Sequence, residues 1–179
     1  NTPSEQTVST WDELKYKYTG SVKVNPSDLV FIGVRDTEHE EDQLIAENNI
    51  TNHTVESVRK EGAQAIVLHV LEQLEPCDII YVSFDVDCMD ASISKGTGTP
   101  VPNGITEKEA GNLVARLMQS NKVCCFEMVE INPTLDKENL MAENALSTTL
   151  SSTKMVNSLV VESTSYKEIP SQAKRLKNW

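Results

Sequence analysis

The chain has 179 residues, with 16 Lys and Arg against 27 Asp and Glu, so its formal net charge is −11. That length can form one domain with a buried core, and the acidic charge argues against nucleic acid or an anionic membrane as a partner. The sequence has no apolar run near the roughly 20 residues that span a bilayer, and its first residues lack the profile of a signal peptide.

The first part of the chain predicts one short helix and one buried strand. Residues 1–27 are polar and are expected to form a loop or lead-in, with a short helix over 11–18. Residues 28–34 form an apolar run typical of a buried strand. Residues 35–42 predict a charged loop at the exit of that strand, followed by helical signals.

A longer amphipathic helix is expected next. Thr54 is a suitable N-cap residue, Gly62 predicts a break or kink, and Pro76 ends the helix. Its apolar side chains recur at helical spacing and are Ala63, Val67, Val70, Leu71 and Leu74.

The rest of the chain predicts two more buried strands and two more helices. The strands cover residues 78–84 and 122–129. Between them, residues 106–109 form a Thr-x-x-Glu capping box that opens a helix. A helical stretch over 136–159 follows, and residues 161–179 are expected to be a peripheral tail. The inward face of the helix after the capping box is Ala110, Leu113, Val114, Leu117 and Met118.

Buried strands that alternate with amphipathic helices favour the α/β fold class. The expected architecture is a three-layer α/β/α arrangement around a mainly parallel, doubly wound sheet, over residues 28–160. About three good strands are visible in the sequence, which is few for an independent sheet of this kind.

Two carboxylates at the end of the second buried strand form the strongest candidate site. Asp85 and Asp87 are two positions apart, so in a strand their side chains point the same way, with Val86 turned into the packing. Like charges this close raise the free energy unless a cation lies between them. A hard divalent metal is therefore expected here; the alternative is a strand end with solvated acids.

Acidic segments follow each of the three predicted strands, at residues 36–42, 85–90 and 127–130. Because ligands of open parallel sheets bind beyond the carboxyl ends of the strands, these segments are expected to form one acidic pocket. Glu130 is the residue expected to contact a ligand. Glu127, on the opposite side of a regular strand, could instead pair with a neighbouring element.

The loop at residues 96–100, Gly-Thr-Gly-Thr-Pro, does not fit a phosphate-binding loop, because it lacks the P-loop lysine and opens no helix. It is expected to line the pocket with hydroxyl and backbone groups. His39, His53 and His69 have no partner at metal-ligand spacing, and we assign them no chemistry.

Four cysteines show no spacing typical of a metal site. We expect them to be buried free thiols in a reducing compartment, so the expected location is the cytoplasm. They are Cys77, Cys88, Cys124 and Cys125.

Four motifs together resemble the arginase family of ureohydrolases, over residues 28–159. They are Ile-Gly-Val-Arg-Asp at 32–36, Ser-Phe-Asp-Val-Asp-Cys-Met-Asp at 83–90, Gly-Thr-Gly-Thr-Pro at 96–100 and Glu-Ile-Asn-Pro at 130–133. The Asp-x-Asp segment followed by Gly-Thr-Gly-Thr-Pro is highly specific for this family.

The resemblance implies a reaction and roles for several residues. Asp85 and Asp87 would be ligands of a binuclear Mn²⁺ centre, whose bridging hydroxide hydrolyses the guanidino group of L-arginine to urea and L-ornithine. Glu130 corresponds to the acid that holds the substrate guanidinium, and Thr99 lines the same end of the pocket. Glu38 takes the place of an acid that faces the substrate α-amino group.

Two further correspondences come from the same resemblance. Asn1, in Asn-Thr-Pro at residues 1–3, matches a residue that contacts the substrate carboxylate, and Glu127 matches an acid near the metals. The family also implies a small-molecule guanidino substrate, arginine, and a homo-oligomer.

The sequence departs from the family pattern in ways that leave alternatives open. It lacks the Gly-Gly-Asp-His and Asp-Ala-His-x-Asp segments that supply further metal ligands, and the downstream histidine that moves protons. Ala91 replaces a proline, and Asn103 replaces a glycine. We therefore expect the C-terminal portion of an arginase, without the N-terminal strands of the sheet. The alternatives are an agmatinase or other guanidino-compound ureohydrolase, and a non-catalytic arginase-fold subunit that lacks part of the metal site.

Overall fold

The computed structural model describes residues 2–17, 19–136 and 138–148, in which helices alternate with short parallel strands. Two 3₁₀ turns, Pro26–Asp28 and Val86–Cys88, precede β1 and follow β3, and residues 140–148 are helical. The other elements in chain order are α1 (Glu5–Tyr16), β1 (Val30–Ile32), α2 (His39–Glu47), β2 (Thr51–His53), α3 (Val55–Gln73), β3 (Ile80–Asp85), α4 (Glu107–Leu117) and β4 (Val123–Val129).

The strands form two parallel pairs. β1 pairs with β2, with Phe31 opposite Asn52, and β3 pairs with β4, with Asp85 opposite Val129. Parallel neighbours require a crossover connection, and the helices α2 and α4 lie in the two crossovers. The predicted α/β class with parallel strands is confirmed.

Helices α3 and α4 cover one face of the β3–β4 pair and supply much of the core. The Thr54 side chain accepts a hydrogen bond from the Ser57 amide at 3.2 Å and begins α3. Gly62 has φ 83° and kinks this helix, as predicted. The predicted capping box opens α4. The buried side chains that these elements give to the core cluster are Val55, Val58, Ile66, Val67, Val70, Ile80, Phe84, Ala110, Leu113, Val114 and Leu117.

The segment between β1 and α3 differs from the prediction. Helix α2 begins at His39, inside the predicted charged loop, because the Glu38 and Glu41 side chains form a capping box. Acidic side chains in the first turn also stabilise a helix by interacting with its dipole. His53 lies in β2 rather than in a linker. Strand β2 has only polar side chains, so its sequence carries no strand pattern; backbone pairing with β1 defines it.

Two other helices begin where a side chain caps them. Helix α1 begins at Glu5, before the predicted start, because Ser4 accepts a hydrogen bond from the Thr7 amide. The helix predicted from residue 136 begins at 140, because the Asp136 carboxylate accepts from the amides of Met141 and Ala142. The rest of that predicted helix and the predicted tail at 161–179 lie outside the described residues.

The expectation of buried thiols is wrong for Cys124 and Cys125, whereas Cys77 and Cys88 are partly buried. Cys124 and Cys125 are exposed, and all four thiols are free. The β3–β4 register shifts so that Tyr81 pairs with Cys125, leaving Cys124 as an extra residue, and nothing within the described part of the chain covers the outer face of this pair. No helix among the described residues has the length and apolar character needed to cross a membrane.

We expect Gly104→Ala to destabilise the fold by about 1–3 kcal/mol or more, the usual effect of overpacking. A Cβ at Gly104 would overlap the backbone of Met89 and Asp90, whereas a Cβ at Gly98 would meet no atom within 4 Å. Urea unfolding of both alanine variants measures the difference. Equal free energies of unfolding for the two variants would contradict the close approach at Gly104.

Candidate functional site

The site begins where β3 ends. The Asp85 carboxylate accepts a hydrogen bond from the Asp87 amide at 2.8 Å, and the chain turns into the 3₁₀ segment Val86–Cys88. Val86 is 0% exposed, as its predicted inward position requires. Asp87 therefore lies in a turn and not in the strand, and this turn, rather than strand alternation, brings Asp85 and Asp87 to one cavity.

The Asp87 carboxylate has one bonded and one unbonded oxygen. Thr99 Oγ1 donates to Asp87 Oδ2 at 2.7 Å, which ties the predicted Gly-Thr-Gly-Thr-Pro loop to the acid. Asp87 Oδ1 is buried and has no hydrogen-bond partner. A buried carboxylate oxygen without a donor is unfavourable, and a bound cation would satisfy it.

A cavity of ≈ 570 Å³ contains these groups. Acids from two regions line it: Asp85 and Asp87 at the end of β3, and Asp36, Glu38 and Glu41 after β1. The structure thus brings the predicted residues Glu38, Asp85, Asp87 and Thr99 to one cavity. It adds Glu41 and Arg35, which the sequence analysis did not single out. Arg35 lies in the Ile-Gly-Val-Arg-Asp motif and Glu41 lies in the acidic segment at 36–42. Nothing in the sequence distinguishes either residue as part of a site.

Glu130 lies beside the cavity rather than in its lining. It follows Val129, the residue paired with Asp85, and its φ of 67° ends the strand in the left-handed region, which is strained for a residue with a side chain. Partial burial, together with the charges of Asp87 and Glu130, raises the pKa of Asp85. The hydrogen bond from the Asp87 amide lowers this pKa, but by less than the other effects raise it. Glu130 is therefore close enough for its charge to act on Asp85.

Glu127 is engaged elsewhere. Ser83 Oγ donates to Glu127 Oε1 at 2.9 Å. Hydrogen bonds from Tyr81 and then Ser83 lower the pKa of Glu127, and the bond to Glu127 raises the pKa of Tyr81 to about 12. Glu127 thus pairs with the neighbouring strand β3, one of the two outcomes that the sequence left open.

The third aspartate of the motif stabilises a loop. The Asp90 carboxylate accepts from the Ser92 hydroxyl at 2.6 Å, the Ser92 amide at 3.0 Å and the Gly104 amide at 3.2 Å. The hydrogen bonds from Ser92, and then those from the backbone at Asn103 and Gly104, lower the pKa of Asp90 to about 2. Asp90 holds the turn after Asp87 against the loop that contains Gly104.

No histidine is in the cavity lining, and one further candidate lies outside the described residues. His39 begins α2. The rings of His53 and His69 stack with centroids 6.0 Å apart, and His69 lies 3.7 Å from Glu61. Asn1 is not among the described residues.

The donor set suits a hard divalent cation but supplies few ligands. Asp85 and Asp87 offer carboxylate oxygens, the donors that such ions prefer, and the unbonded Asp87 Oδ1 is the atom that a cation would satisfy. No group of three or more His, Cys, Asp or Glu residues that could hold a metal occurs within the described ranges. A metal at this position would need ligands beyond these two acids to complete its coordination shell.

Comparisons with known proteins agree with the motifs. A family model described as "Arginase family" matches residues 15–159. An arginase from Staphylococcus aureus (strain MRSA252) is 33% identical over 126 residues, covering 69% of this chain and 42% of that protein. The Helicobacter pylori arginase structure superposes with a TM-score of 0.77 at 30% identity, covering 87% of this chain and 52% of that one.

A second similar structure is a complex with a ligand. Entamoeba histolytica arginase in complex with L-ornithine superposes with a TM-score of 0.68 at 29% identity, covering 72% of this chain and 43% of that one. The chain thus spans about two fifths of the curated relative and about half of the first solved structure.

The Asp90 hydrogen bonds predict a dependence of stability on acid pH. Because the pKa of Asp90 is depressed in the folded state, its contribution is present above the unfolded value of about 4 and is lost as the pH falls toward 2. Asp90→Asn should therefore lower Tm at pH 7, and the difference from the unsubstituted chain should vanish near pH 2. Thermal unfolding monitored by circular dichroism across this range measures it; a constant difference would contradict the assignment.

The opposite sign is expected for Asp85 in the metal-free chain. Its raised pKa means that the ionised carboxylate is disfavoured in the fold, so Asp85→Asn should raise Tm at pH 7. The gain should shrink as the pH falls through the folded pKa and disappear below the unfolded value of about 4, where Asp85 is neutral in both states. Asp12→Asn, on the exposed helix α1, is the control and should change little. A lower Tm for Asp85→Asn at pH 7 would count against this account.

Proposed function

The chain belongs to the arginase family, and from that membership we propose that it takes part in metal-dependent hydrolysis of the guanidino group of L-arginine to urea and L-ornithine. The observation that carries the proposal is the acidic cavity at the end of β3, in which Asp87 Oδ1 is buried without a hydrogen-bond partner. A buried carboxylate oxygen without a donor is suited to a cation.

Asp85 and Asp87 would hold the metal, proposed as a binuclear Mn²⁺ centre. When bound, two such ions polarise a water molecule and lower its pKa, which supplies a nucleophile at neutral pH. Thr99 orients the Asp87 carboxylate through its 2.7 Å hydrogen bond, and the bond from the Asp87 amide orients Asp85. Oxygen donors suit several hard divalent ions, so manganese is proposed on family membership. The Gly-Gly-Asp-His and Asp-Ala-His-x-Asp segments, which supply further ligands in the family, do not occur in this sequence.

The substrate would lie with its guanidinium toward Glu130. A carboxylate can accept two parallel, charge-assisted hydrogen bonds from a guanidinium, which would hold the reacting carbon close to the metal-binding acids. Thr99 would line this end of the cavity. Glu38, in the lining of the cavity, would face the α-amino group, and Asn1 the α-carboxylate. The net negative lining suits a cationic substrate.

The ornithine complex of the Entamoeba histolytica relative supports an amino-acid ligand of this size and charge. A homo-oligomer and a cytoplasmic location remain part of the proposal, on family membership alone. Agmatine, which lacks the α-carboxylate, is the substrate that separates arginase from the alternative ureohydrolase activity.

Asp87→Asn should abolish the proposed activity while retaining the fold. The amide keeps the size of the side chain and an acceptor for Thr99 but loses the anionic oxygen, so Mn²⁺ affinity should fall by more than the 10–100-fold typical of residues that only support a ligand. The measurements are Mn²⁺ retained per chain after loading and desalting, and urea released from L-arginine and from agmatine. Asp12→Asn is the matched control and should behave as the unsubstituted chain.

Two results would contradict the proposal. Equal Mn²⁺ retention by Asp87→Asn and the unsubstituted chain would remove Asp87 from the metal site. Absence of Mn²⁺ retention and of urea formation in the unsubstituted chain would favour a non-catalytic subunit. Urea from agmatine but not from arginine would reassign the substrate within the family.

A further inference from the structure

Arg35 binds a set of backbone carbonyls that the proposed function does not use. It follows β1, at the rim of the acidic cavity, and it is half-buried. All of the described hydrogen bonds of its guanidinium go to main-chain oxygens. Nε donates to Pro102 at 3.2 Å, Nη1 donates to Asp87 at 2.9 Å and Cys88 at 3.2 Å, and Nη2 donates to Met89 at 3.1 Å and Val101 at 2.5 Å.

This arrangement uses the whole guanidinium. Arginine has five N–H donors in a planar fork, and five carbonyl oxygens surround Arg35. Within the described ranges no carboxylate lies at ion-pair distance from Arg35. The planar geometry of the guanidinium, and not an ion pair with a carboxylate, therefore determines which groups Arg35 binds.

The five acceptors belong to two segments that meet at the metal-binding acid. One is the turn at residues 87–89, which includes Asp87 itself, and the other is residues 101–102, which follow Thr99 by two positions. The Thr99 hydroxyl donates to the Asp87 carboxylate. Arg35 thus holds the backbone on both sides of the Thr99–Asp87 hydrogen bond and ties both segments to β1.

Other hydrogen bonds among the described residues join the two segments to each other. The Ile105 amide donates to the Cys88 carbonyl and the Asp90 amide to the Ile105 carbonyl, both at 3.0 Å. The Asp90 carboxylate adds the bond to the Gly104 amide. These bonds make the turn and the loop one unit, whereas the Arg35 hydrogen bonds link that unit to the strand that carries Glu38 at its exit.

We propose that Arg35 is a positioning residue: it holds the Asp87 turn and the Thr99 loop in the arrangement that binds the divalent cation, without contacting metal or substrate. The inference rests on the proposed metal-binding function of Asp87. In this proposal, the hydrogen bonds of Arg35 keep Asp87 Oδ1 directed into the cavity. The positive charge of Arg35 does not favour cation binding.

The sign of the effect separates position from charge. A positive charge at the rim of the cavity repels a divalent cation, so removing it would strengthen Mn²⁺ binding if charge alone mattered. Loss of positioning would weaken binding instead. Lysine keeps the charge but has a single ammonium with three donors, which cannot reproduce the planar fork.

The experiment compares Arg35→Lys, Arg35→Gln and a control, Arg59→Lys, in the full 179-residue chain. Arg59 is a matched control because it donates to the Gly104 carbonyl at 2.8 Å and lies 3.4 Å from Glu109, but it does not bind the Asp87 turn. The dissociation constant for Mn²⁺ is measured by titration with electron paramagnetic resonance detection of free Mn²⁺. Circular dichroism of the metal-free variants checks the fold.

We expect both Arg35 variants to bind Mn²⁺ about 10–100-fold more weakly, as for other residues that support metal ligands, and Arg59→Lys to bind within about twofold of the unsubstituted chain. Tighter binding by Arg35→Gln would show that only charge matters and would overturn the inference. Unchanged binding by Arg35→Lys would also overturn it. So would failure of both Arg35 variants to fold where Arg59→Lys folds, because Arg35 would then support the chain as a whole.

Failure of the proposed function is recognised separately. In that case the unsubstituted chain itself binds no Mn²⁺, and the inference about Arg35 falls with it. If the unsubstituted chain binds Mn²⁺ and loses it on Asp87→Asn, the function stands and the Arg35 variants alone decide the inference.

Discussion

The hydrogen bond from the Asp87 amide to the Asp85 carboxylate is the interaction on which the site depends. It ends β3 and turns the chain into a 3₁₀ segment. The same turn buries Val86 completely and places Asp87 where the Thr99 hydroxyl can reach it. A strand that continued for two more residues would place both acids on one face but would leave Asp87 without this turn.

Three aspartates within six residues have three different environments. Asp85 has a raised pKa, from partial burial and neighbouring acids, whereas hydrogen bonds from Ser92 and the loop backbone lower that of Asp90. Asp87 has an oxygen with no donor. The fold therefore tolerates two unfavourable carboxylates beside one that is well bonded. Such local conflict is typical of functional sites, where the ligand supplies the missing interaction.

The β3–β4 pair is packed by helices on one face and open on the other, within the described residues. Ile79 and Tyr81 are 68% and 56% exposed, and Glu127 pairs with Tyr81 and Ser83 on this open face. An exposed face of this kind needs a covering layer to complete a three-layer arrangement. The described part of the chain supplies the parallel strands and one helical layer, with the acidic cavity beyond the strand ends.

The sequence by itself determined the elements that local signals encode: the apolar runs that became β3 and β4, the Thr54 cap, the Gly62 kink, the capping box before α4, and the acids beyond the strand ends. Only the tertiary structure decided that polar β2 is a strand, that Cys124 and Cys125 are exposed, and that Arg35 binds the Asp87 turn 52 residues away. Caps and periodicity act over a few residues, so they can be read along the chain. The partners of Arg35 and of β2 are backbone groups, which every residue has, so their identity depends on which distant segments the fold brings together.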